Sequence, residues 1–551
     1  PEKGIGIDPR WKVISWDEAL DEIARRLSAL RDAGEAHKLI WITEDASFTD
    51  IQQDFLRLYG SPNFGMHSNL CDTGRKASFK MVVGDERPLI DALQSKYMLI
   101  FGWNPVSATK WSLLPRIITR GIEHGAKLVV VDPNLSYTAS KAHEWVPIRP
   151  ATDGALALAM GHVIIRDGLY DKEFVEQWTT GFDEYAAYVK DKTPQWAEDI
   201  TTVPAERIER LAREFATTKP ATLDVWSGAH HSNGVNAGRA IACLAALVGS
   251  YDIPGGLHLP DRKGPKYQPA EAPDVPSLKQ PRLDGSGTKY PYKHASGVYC
   301  EWVERTAKGD GPYQPKILVS IFQNPMMAVI GTKTAEEALK RLEFIVQIDT
   351  MLSETAQFAD IVLPGTTYFE RYDLDAPWVT WPSVTLRQPV VQPLFGQPAE
   401  YEAIIRLGRL LHLRTKDGKA FFIEGPESGK PVDSLTRWYE EYLSRELKAG
   451  GPKMGLAELK ALPGAVWVDT KGTRYQKYAD PIAEDIVAKS VVDGELLYDK
   501  PKAEGGQAIG RLVNGTWVKG FNTSTRKIEL ASAAWASKKD ANGKPIPALP
   551  V

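Results

Sequence analysis

The chain has 551 residues, 43% hydrophobic and 25% charged, with a formal net charge of −3. That length calls for more than one domain, and a charge so close to zero gives nucleic-acid binding no electrostatic footing. No apolar run reaches the roughly 18 to 20 residues of a membrane span, so no direct span is expected. The only cysteines are Cys71, Cys243 and Cys300, with no CxxC. This excludes a disulfide scaffold and a four-cysteine iron–sulfur cluster built from this chain alone.

In chain order, Ser15 and Glu18 form an S-x-x-E capping box. Leu20, Ile23, Ala24, Leu27 and Leu30 then make one helical face that stops before Gly34. "KLIWIT" (Lys38 to Thr43) predicts a buried strand, with a helix near Thr49 to Tyr59 behind it. "HSNLCDTGRKAS" (His67 to Ser78) sets Cys71 among small and polar residues, with Arg75 and Lys76 close by. "YMLIF" (Tyr97 to Phe101) and "KLVVV" (Lys127 to Val131) are apolar strands flanking a helical stretch. "PAERIERLAREFATT" (Pro204 to Thr218) reads as a helix with proline at its start. Cys243 lies in the apolar run "RAIACLAALVG", a core position, while Cys300 receives no assignment. From about 255 to 315 the texture turns rich in Pro, Gly and charge; α/β texture resumes at "KILVSIF" (Lys316 to Phe322) and weakens after about 415. The final "SKKDANGKPIPALPV" reads as a loop or a cut end.

Alternating helix and strand signals give an α/β fold with parallel sheets. An internal repeat refines this. "MLIFGWNP", a helix and "KLVVVDPNLSYTASKAHEWVP" match "ILVSIFQNP", a helix and "FIVQIDTMLSETAQFADIVLP". Asn104-Pro105 and Asn324-Pro325 each follow a strand, and Asp132 and Asp349 each end the next one. Thr138-Ala139 and Thr355-Ala356 lie six and seven residues beyond those aspartates, and Pro147 and Pro364 fifteen beyond. Two Rossmann-like units with a long irregular connection are therefore expected. The expected division is 1–85, an N-terminal α/β segment; 86–255, the first unit; 256–314, the connection; 315–420, the second unit; and 421–551, a mixed segment leading to a truncated C-terminal domain.

Ligands of open parallel sheets sit beyond the carboxyl ends of the strands. An Asn-Pro exit offers an amide to a polar ligand, and a strand-end Asp can accept hydrogen bonds from ribose hydroxyls or a guanine edge. One such pair is ordinary turn chemistry. Two at matched spacing imply two nucleotide-like moieties, or one ligand with pseudo-twofold symmetry. No GxGxxG or GxxxxGK[ST] supports plain NAD or P-loop ATP binding.

Eight stretches in one order resemble the molybdopterin oxidoreductases of the dimethyl sulfoxide reductase superfamily: "ISWDEALDEIA", "GSPNFGMHSNLC", "GWNP", "VVDP", "IRPATDGALALAM", "FQNPMM", "IDTMLSETAQFADIVLPGTTYFER" and "STRKIELAS". The resemblance implies a molybdenum or tungsten bis-molybdopterin guanine dinucleotide. Gly102, Asn104, Asp132, Thr138 and Asp153 would hold one dinucleotide, and Asn324, Asp349, Ser353 and Thr355 the other. Gly228 and Asn233 match a loop near the metal and pterins, and Cys71 matches the position of a metal ligand. A thiolate suits a metal already held by sulfur. Arg75 and Lys76, if turned inward, would favour the thiolate and draw in an anionic substrate, with Lys76 on the oxyanion. Lys76 reads equally as a solvated helix lysine, and His67 as a structural histidine or a proton donor. Of His230 and His231, at most one is expected to contribute.

The family's N-terminal four-cysteine [4Fe–4S] domain and most of its C-terminal β-barrel domain are missing, so the chain is expected to be cropped from a longer parent that carries the cluster. "TTYFERYDL" and "WPSVTLRQPVVQPL" resemble polysulfide, thiosulfate, tetrathionate and arsenate reductase catalytic subunits. The implied activity is two-electron reduction of a sulfur or arsenic oxyanion. The implied partners are an iron–sulfur electron-transfer subunit and, as an option, a membrane-anchor subunit. Periplasmic export by the twin-arginine route is the family expectation, with the cytoplasm as the alternative. Formate oxidation, nitrate reduction, non-redox hydration or hydroxyl transfer, a metal-free scaffold, and a nucleotide-dependent enzyme with two Rossmann units remain as alternatives.

Overall fold

The apolar runs of the sequence become two parallel sheets. The computed structural model describes residues 3–44, 49–107, 113–230, 233–261, 264, 268–375, 380–445 and 451–551. In chain order the sheet strands are β1 (Leu39–Thr43), β2 (Asn63–Met66), β3 (Tyr97–Phe101), β4 (Lys127–Val131), β5 (Glu144–Val146), β6 (Ala221–Val225), β7 (Ile317–Ile321), β8 (Phe344–Asp349) and β9 (Ile361–Pro364). Every residue of β1, β3, β6 and β7 is buried; β1, β3 and β7 accordingly read as nearly continuous apolar runs rather than as alternating ones, while β6 carries the buried Asp224.

The chain divides into two compact units. The first comprises residues 1–70, 262–377 and 381–472, and the second residues 71–261, 378–380 and 473–551. The first unit carries a five-stranded parallel sheet in the order β2-β1-β7-β8-β9. Numbered within the unit this is 2-1-3-4-5, a doubly wound order whose direction reverses between β1 and β7. The second unit carries a four-stranded parallel sheet, β5-β4-β3-β6, which reverses between β3 and β6. In an open parallel sheet such a reversal is where a ligand crevice forms, at the carboxyl ends of the two strands beside it.

The expected segment 1–85 is not a body of its own: β1 and β2 complete the sheet that β7, β8 and β9 begin. The change of unit falls between residues 70 and 71, in the helical turn Ser68–Cys71. The stretch 256–314 is less irregular than its composition suggests. It contains the helix Tyr299–Lys308, which buries Tyr299, Trp302, Val303, Thr306 and Ala307 on one face at helical spacing. In residues 421–551, the part up to 472 belongs with the first unit and the rest with the second, where Val491–Asp493, Leu496–Tyr498, Ala508–Val513 and Thr516–Val518 form an antiparallel sheet.

Local signals account for the edges of the elements. Ser15 accepts the Glu18 amide at 3.2 Å, and the Glu18 carboxylate accepts the Ser15 amide at 2.8 Å, so the capping box starts the helix Trp16–Asp32. Its buried face is Ala19, Leu20, Ile23, Ala24, Leu27 and Leu30, each large aliphatic side chain contributing about 1.5–3 kcal/mol. In the second unit the helix Gly234–Leu247 is buried on nearly every side. Cys243 sits within it, fully buried, and burial pushes its thiol up to about 12, as befits a core residue. No helix among the described residues is long and apolar enough to cross a membrane.

Candidate functional site

The crevice of the second unit is built where the loops leaving β3 and β6 meet. Trp226 donates its amide to the Phe101 carbonyl at 3.0 Å, and Ser227 donates to the Gly102 carbonyl at 2.8 Å. Gly102 has φ +52°, and a Cβ there would stand 2.6 Å from the Gly228 nitrogen, so a glycine is needed for the two backbones to approach this closely. A Cβ on Gly228 would in turn lie 2.7 Å from the carboxylate of Asp153, the first residue of the helix Asp153–Arg166. Cys71, Gly102, Asn104, Asp132, Asp153 and Gly228 line a single cavity of about 620 Å3. Burial raises the Asp132 carboxyl above the usual carboxylate range, against the pull of the Asn134 amide that it accepts at 2.8 Å.

Asn104 does not offer its whole amide to a ligand. Its Oδ1 accepts the Thr138 amide at 3.0 Å and the Thr138 hydroxyl at 2.6 Å, and Thr138 Oγ1 accepts the Val106 amide at 3.0 Å. Thr138 is fully buried, so it holds the loop and does not line the cavity. Ser136 caps the following turn through the Ala139 amide at 3.2 Å.

The first unit repeats this arrangement. Asn324 Oδ1 accepts the Thr355 amide at 3.2 Å and its hydroxyl at 2.7 Å, Met326 donates to Thr355 Oγ1 at 3.2 Å, and Ser353 caps through Ala356 at 3.4 Å. Phe322 stands where Gly102 stands in the other copy, with φ +53°. The two copies differ at the free end of the asparagine. Asn324 Nδ2 donates to Glu354 at 2.6 Å, whereas residue 137, the counterpart of Glu354, is a tyrosine. Asp349 receives the Gln347 amide at 3.0 Å, and burial raises its carboxyl as it does that of Asp132.

The basic residues near Cys71 are not arranged as the sequence suggests. Arg75 is 2% exposed: its Nε meets Asp224 at 2.8 Å, its Nη2 donates to the Pro88 carbonyl at 2.7 Å, and it packs over Phe79 and Trp226. Lys76 is 3% exposed and pairs with Asp72 at 2.9 Å, where Arg87 also arrives at 2.5 Å. Neither Arg75 nor Lys76 lines the cavity, and Lys76 is not a solvated helix lysine. His67 belongs to the first unit, where Nδ1 lies 3.0 Å from Glu44 Oε2. Asn233 also lies off the cavity: it donates to the Val551 carbonyl and accepts from Asn236 at 2.9 Å. His230 packs edge-on against Trp226, and His231 lies outside the described residues. Cys300 is half-buried on the helix Tyr299–Lys308, and burial raises its thiol.

The sequence reading missed the aromatic wall, Trp103 and Trp226, whose rings stack with centroids 6.1 Å apart. Trp103 stood in the quoted "GWNP", but an indole carries no signal that separates a site wall from a core residue. It also missed Ser136, four residues past Asp132 as Ser353 is past Asp349. The repeat itself could have found that one. Among the described residues no group of three or more His, Cys, Asp or Glu could hold a metal ion. Cys71 alone supplies a soft donor to the cavity.

A family profile described as "Molybdopterin oxidoreductase" matches residues 7–407. The thiosulfate reductase molybdopterin-containing subunit of Salmonella typhimurium is 31% identical over 422 residues, covering 74% of this chain and 55% of the relative. The arsenate respiratory reductase molybdopterin-containing subunit of Shewanella sp. is 30% identical over 481 residues, covering 78% of this chain and 56% of the relative. The chain thus spans little more than half the length of these relatives. In fold it is similar to the acetylene hydratase structure from Pelobacter acetylenicus, with a TM-score of 0.77 at 24% identity, over 100% of this chain and 71% of that one.

Proposed function

The chain belongs to the molybdopterin oxidoreductase family, and from that premise we propose that it is the catalytic part of a reductase for a sulfur or arsenic oxyanion, working at a bis-molybdopterin guanine dinucleotide site. The observation that carries the reading is the placing of the Cys71 thiol on one cavity with Gly102, Asp132, Asp153 and Gly228 at the reversal point of a parallel sheet. The donor set fits such a cofactor. One thiol cannot hold a metal, and the described residues offer no metal-binding cluster, so the metal must bring further donors with it, as a dithiolene-bearing pterin does. When bound, the cofactor supplies two-electron redox chemistry at a metal (molybdenum or tungsten).

The chain's own residues divide the remaining work. Cys71 is the thiolate donor. Asp132 accepts hydrogen bonds from the sugar or base of one dinucleotide, which compensates a carboxylate otherwise disfavoured by burial. Asp349 does the same in the other unit. Thr138 and Thr355 fix the loops through Asn104 and Asn324. Lys76 and Arg87 converge on the carboxylate of Asp72, the residue after Cys71. On this reading, positive charge reaches the thiolate through that buried network rather than through an open basic funnel. The relatives' names, a thiosulfate and an arsenate reductase molybdopterin-containing subunit, support the oxyanion class, and the iron–sulfur subunit that the sequence resemblance implies is the electron donor of this reading.

The test is reduced-viologen oxidation by the full-length, metal-loaded protein with thiosulfate, tetrathionate, polysulfide and arsenate in turn. Turnover with at least one is expected. Inactivity with all four, in protein shown by metal analysis to contain molybdenum or tungsten, removes the reading.

A further inference from the structure

The two copies of the loop clasp part company at one atom. In the second unit Asn104 lines the cavity; its Oδ1 is spent on Thr138, and its Nδ2 makes no hydrogen bond among the described residues. In the first unit Asn324 Oδ1 is spent on Thr355 in the same way, but Nδ2 donates to Glu354 Oε2 at 2.6 Å. Glu354 stands between the capping Ser353 and Thr355, as Tyr137 stands between the capping Ser136 and Thr138. Both side chains are exposed, so the core holds neither in place. The Asn324 amide holds the Glu354 carboxyl below the usual carboxylate range, so it is ionised at neutral pH.

An N–H donor on a cavity wall is completed by an acceptor oxygen of whatever fills the cavity. In the first unit a carboxylate oxygen of the chain itself already stands at hydrogen-bond distance from that donor. A phosphate-bearing ligand must there displace Glu354 and tolerate its charge nearby. In the second unit the same ligand meets an unspent donor, with a tyrosine in place of the carboxylate.

We propose that Glu354 is an internal competitor for the ligand of the first unit, so that the two nucleotide sites are unequal and the second unit binds a guanine nucleotide more tightly. The proposal rests on the reading of one guanine dinucleotide per unit and adds an order of strength to it. A lost charge-assisted hydrogen bond and a like charge left beside a phosphate together set the gap at about tenfold or more in Kd. The copies also differ at Gly102 and Phe322. Exchanging residues 137 and 354 separates the two differences.

The experiment is calorimetric titration of the cofactor-free full chain with guanosine diphosphate. Two classes of site, about tenfold or more apart, are expected in the wild type. Glu354→Tyr is expected to tighten the weaker class towards the stronger, and Tyr137→Glu to weaken the stronger towards the weaker, each by about tenfold. Equal sites in the wild type, or a weaker site unchanged in Glu354→Tyr, overturn the proposal, as does absence of binding to all three chains. A stronger site unchanged in Tyr137→Glu overturns the part assigned to Asn104. Glu354→Gln keeps an acceptor for Asn324 and removes the charge. It is expected to give part of the gain, and no gain overturns the part assigned to charge. The dinucleotide reading is checked apart from this, by acid release of guanosine monophosphate from the metal-loaded full-length protein. Release of none removes that reading, and the titration still decides whether Glu354 competes with the nucleotide.

Discussion

Asn104 Oδ1 takes both the amide and the hydroxyl of Thr138, at 3.0 and 2.6 Å, closing the loop after one strand onto the loop after the next. The same clasp joins Asn324 and Thr355 in the other copy. The threonine of each clasp is fully buried, so its bonds are costly to lose. Thr138→Val keeps the shape but leaves the Val106 amide without its acceptor and Asn104 with one donor fewer. A loss of about 1–3 kcal/mol is expected. Thr355→Val should cost a comparable amount, because the Met326 amide loses its partner in the same way. Denaturant unfolding of the two variants checks both values.

Cys71→Ala removes the cavity's thiol from a half-exposed position. Stability should change by less than about 1 kcal/mol, while turnover in the metal-loaded full-length protein should be abolished. Full activity in this variant would refute the ligand assignment.

At Gly102 the close approach of Gly228, rather than the positive φ, is what demands glycine, since Phe322 carries a side chain at φ +53° in the matching position. Gly102→Ala drives a methyl against the Gly228 nitrogen and should destabilise the second unit by about 1–3 kcal/mol. Thermal unfolding reads this directly. The variant should also retain less cofactor, measured as bound metal per chain.

For Asp132 the folded state favours the protonated carboxyl, so native chains bind more protons than unfolded ones between the unfolded and folded pKa values. Its contribution to stability is therefore complete below the unfolded value and is lost as pH rises through the folded one. Asp132→Asn cannot ionise. In cofactor-free protein it should melt higher than the wild type at neutral pH, and the gap should close towards pH 4. Paired melting curves across pH 4 to 8 test this sign, and a wider gap at low pH would contradict it.

Asp224 and Arg75 are both out of water, joined at 2.8 Å. Asp224→Asn strands the guanidinium and should cost about 3–5 kcal/mol. The double replacement Asp224→Leu with Arg75→Met should recover much of that, because neither buried charge remains. Denaturant midpoints of the two variants discriminate a positional ion pair from a merely packed one.

The parallel sheets, the helix at Trp16–Asp32 and the repeat were legible in the chain because each is a local periodicity or a matched offset. Most of the buried strands are nearly continuous apolar runs, and the capping box is four residues long. The repeat even carried the clasp, since Asn104 and Thr138 recur as Asn324 and Thr355 at equal spacing. The fate of Arg75 and Lys76 was not legible. Whether a helix-borne cation faces a cavity or a buried carboxylate depends on Asp224, 149 residues away, and on how Asp72 and Arg87 pack.

What the sequence by itself determined was the class of fold, the duplication and the family, because these rest on residue types at fixed separations. The tertiary structure alone decided which strands share a sheet, so that β1 and β2 complete a sheet begun some 250 residues later. It also decided which polar groups remain open to a ligand and which are consumed by one another: Asp132 faces the cavity, Thr138 is locked to Asn104, and Arg75 is closed off by Asp224. The physical reason is that a charge or hydrogen-bonding group inside a protein must find a partner. Which partner it finds is a fact of three-dimensional packing, which residue spacing does not encode.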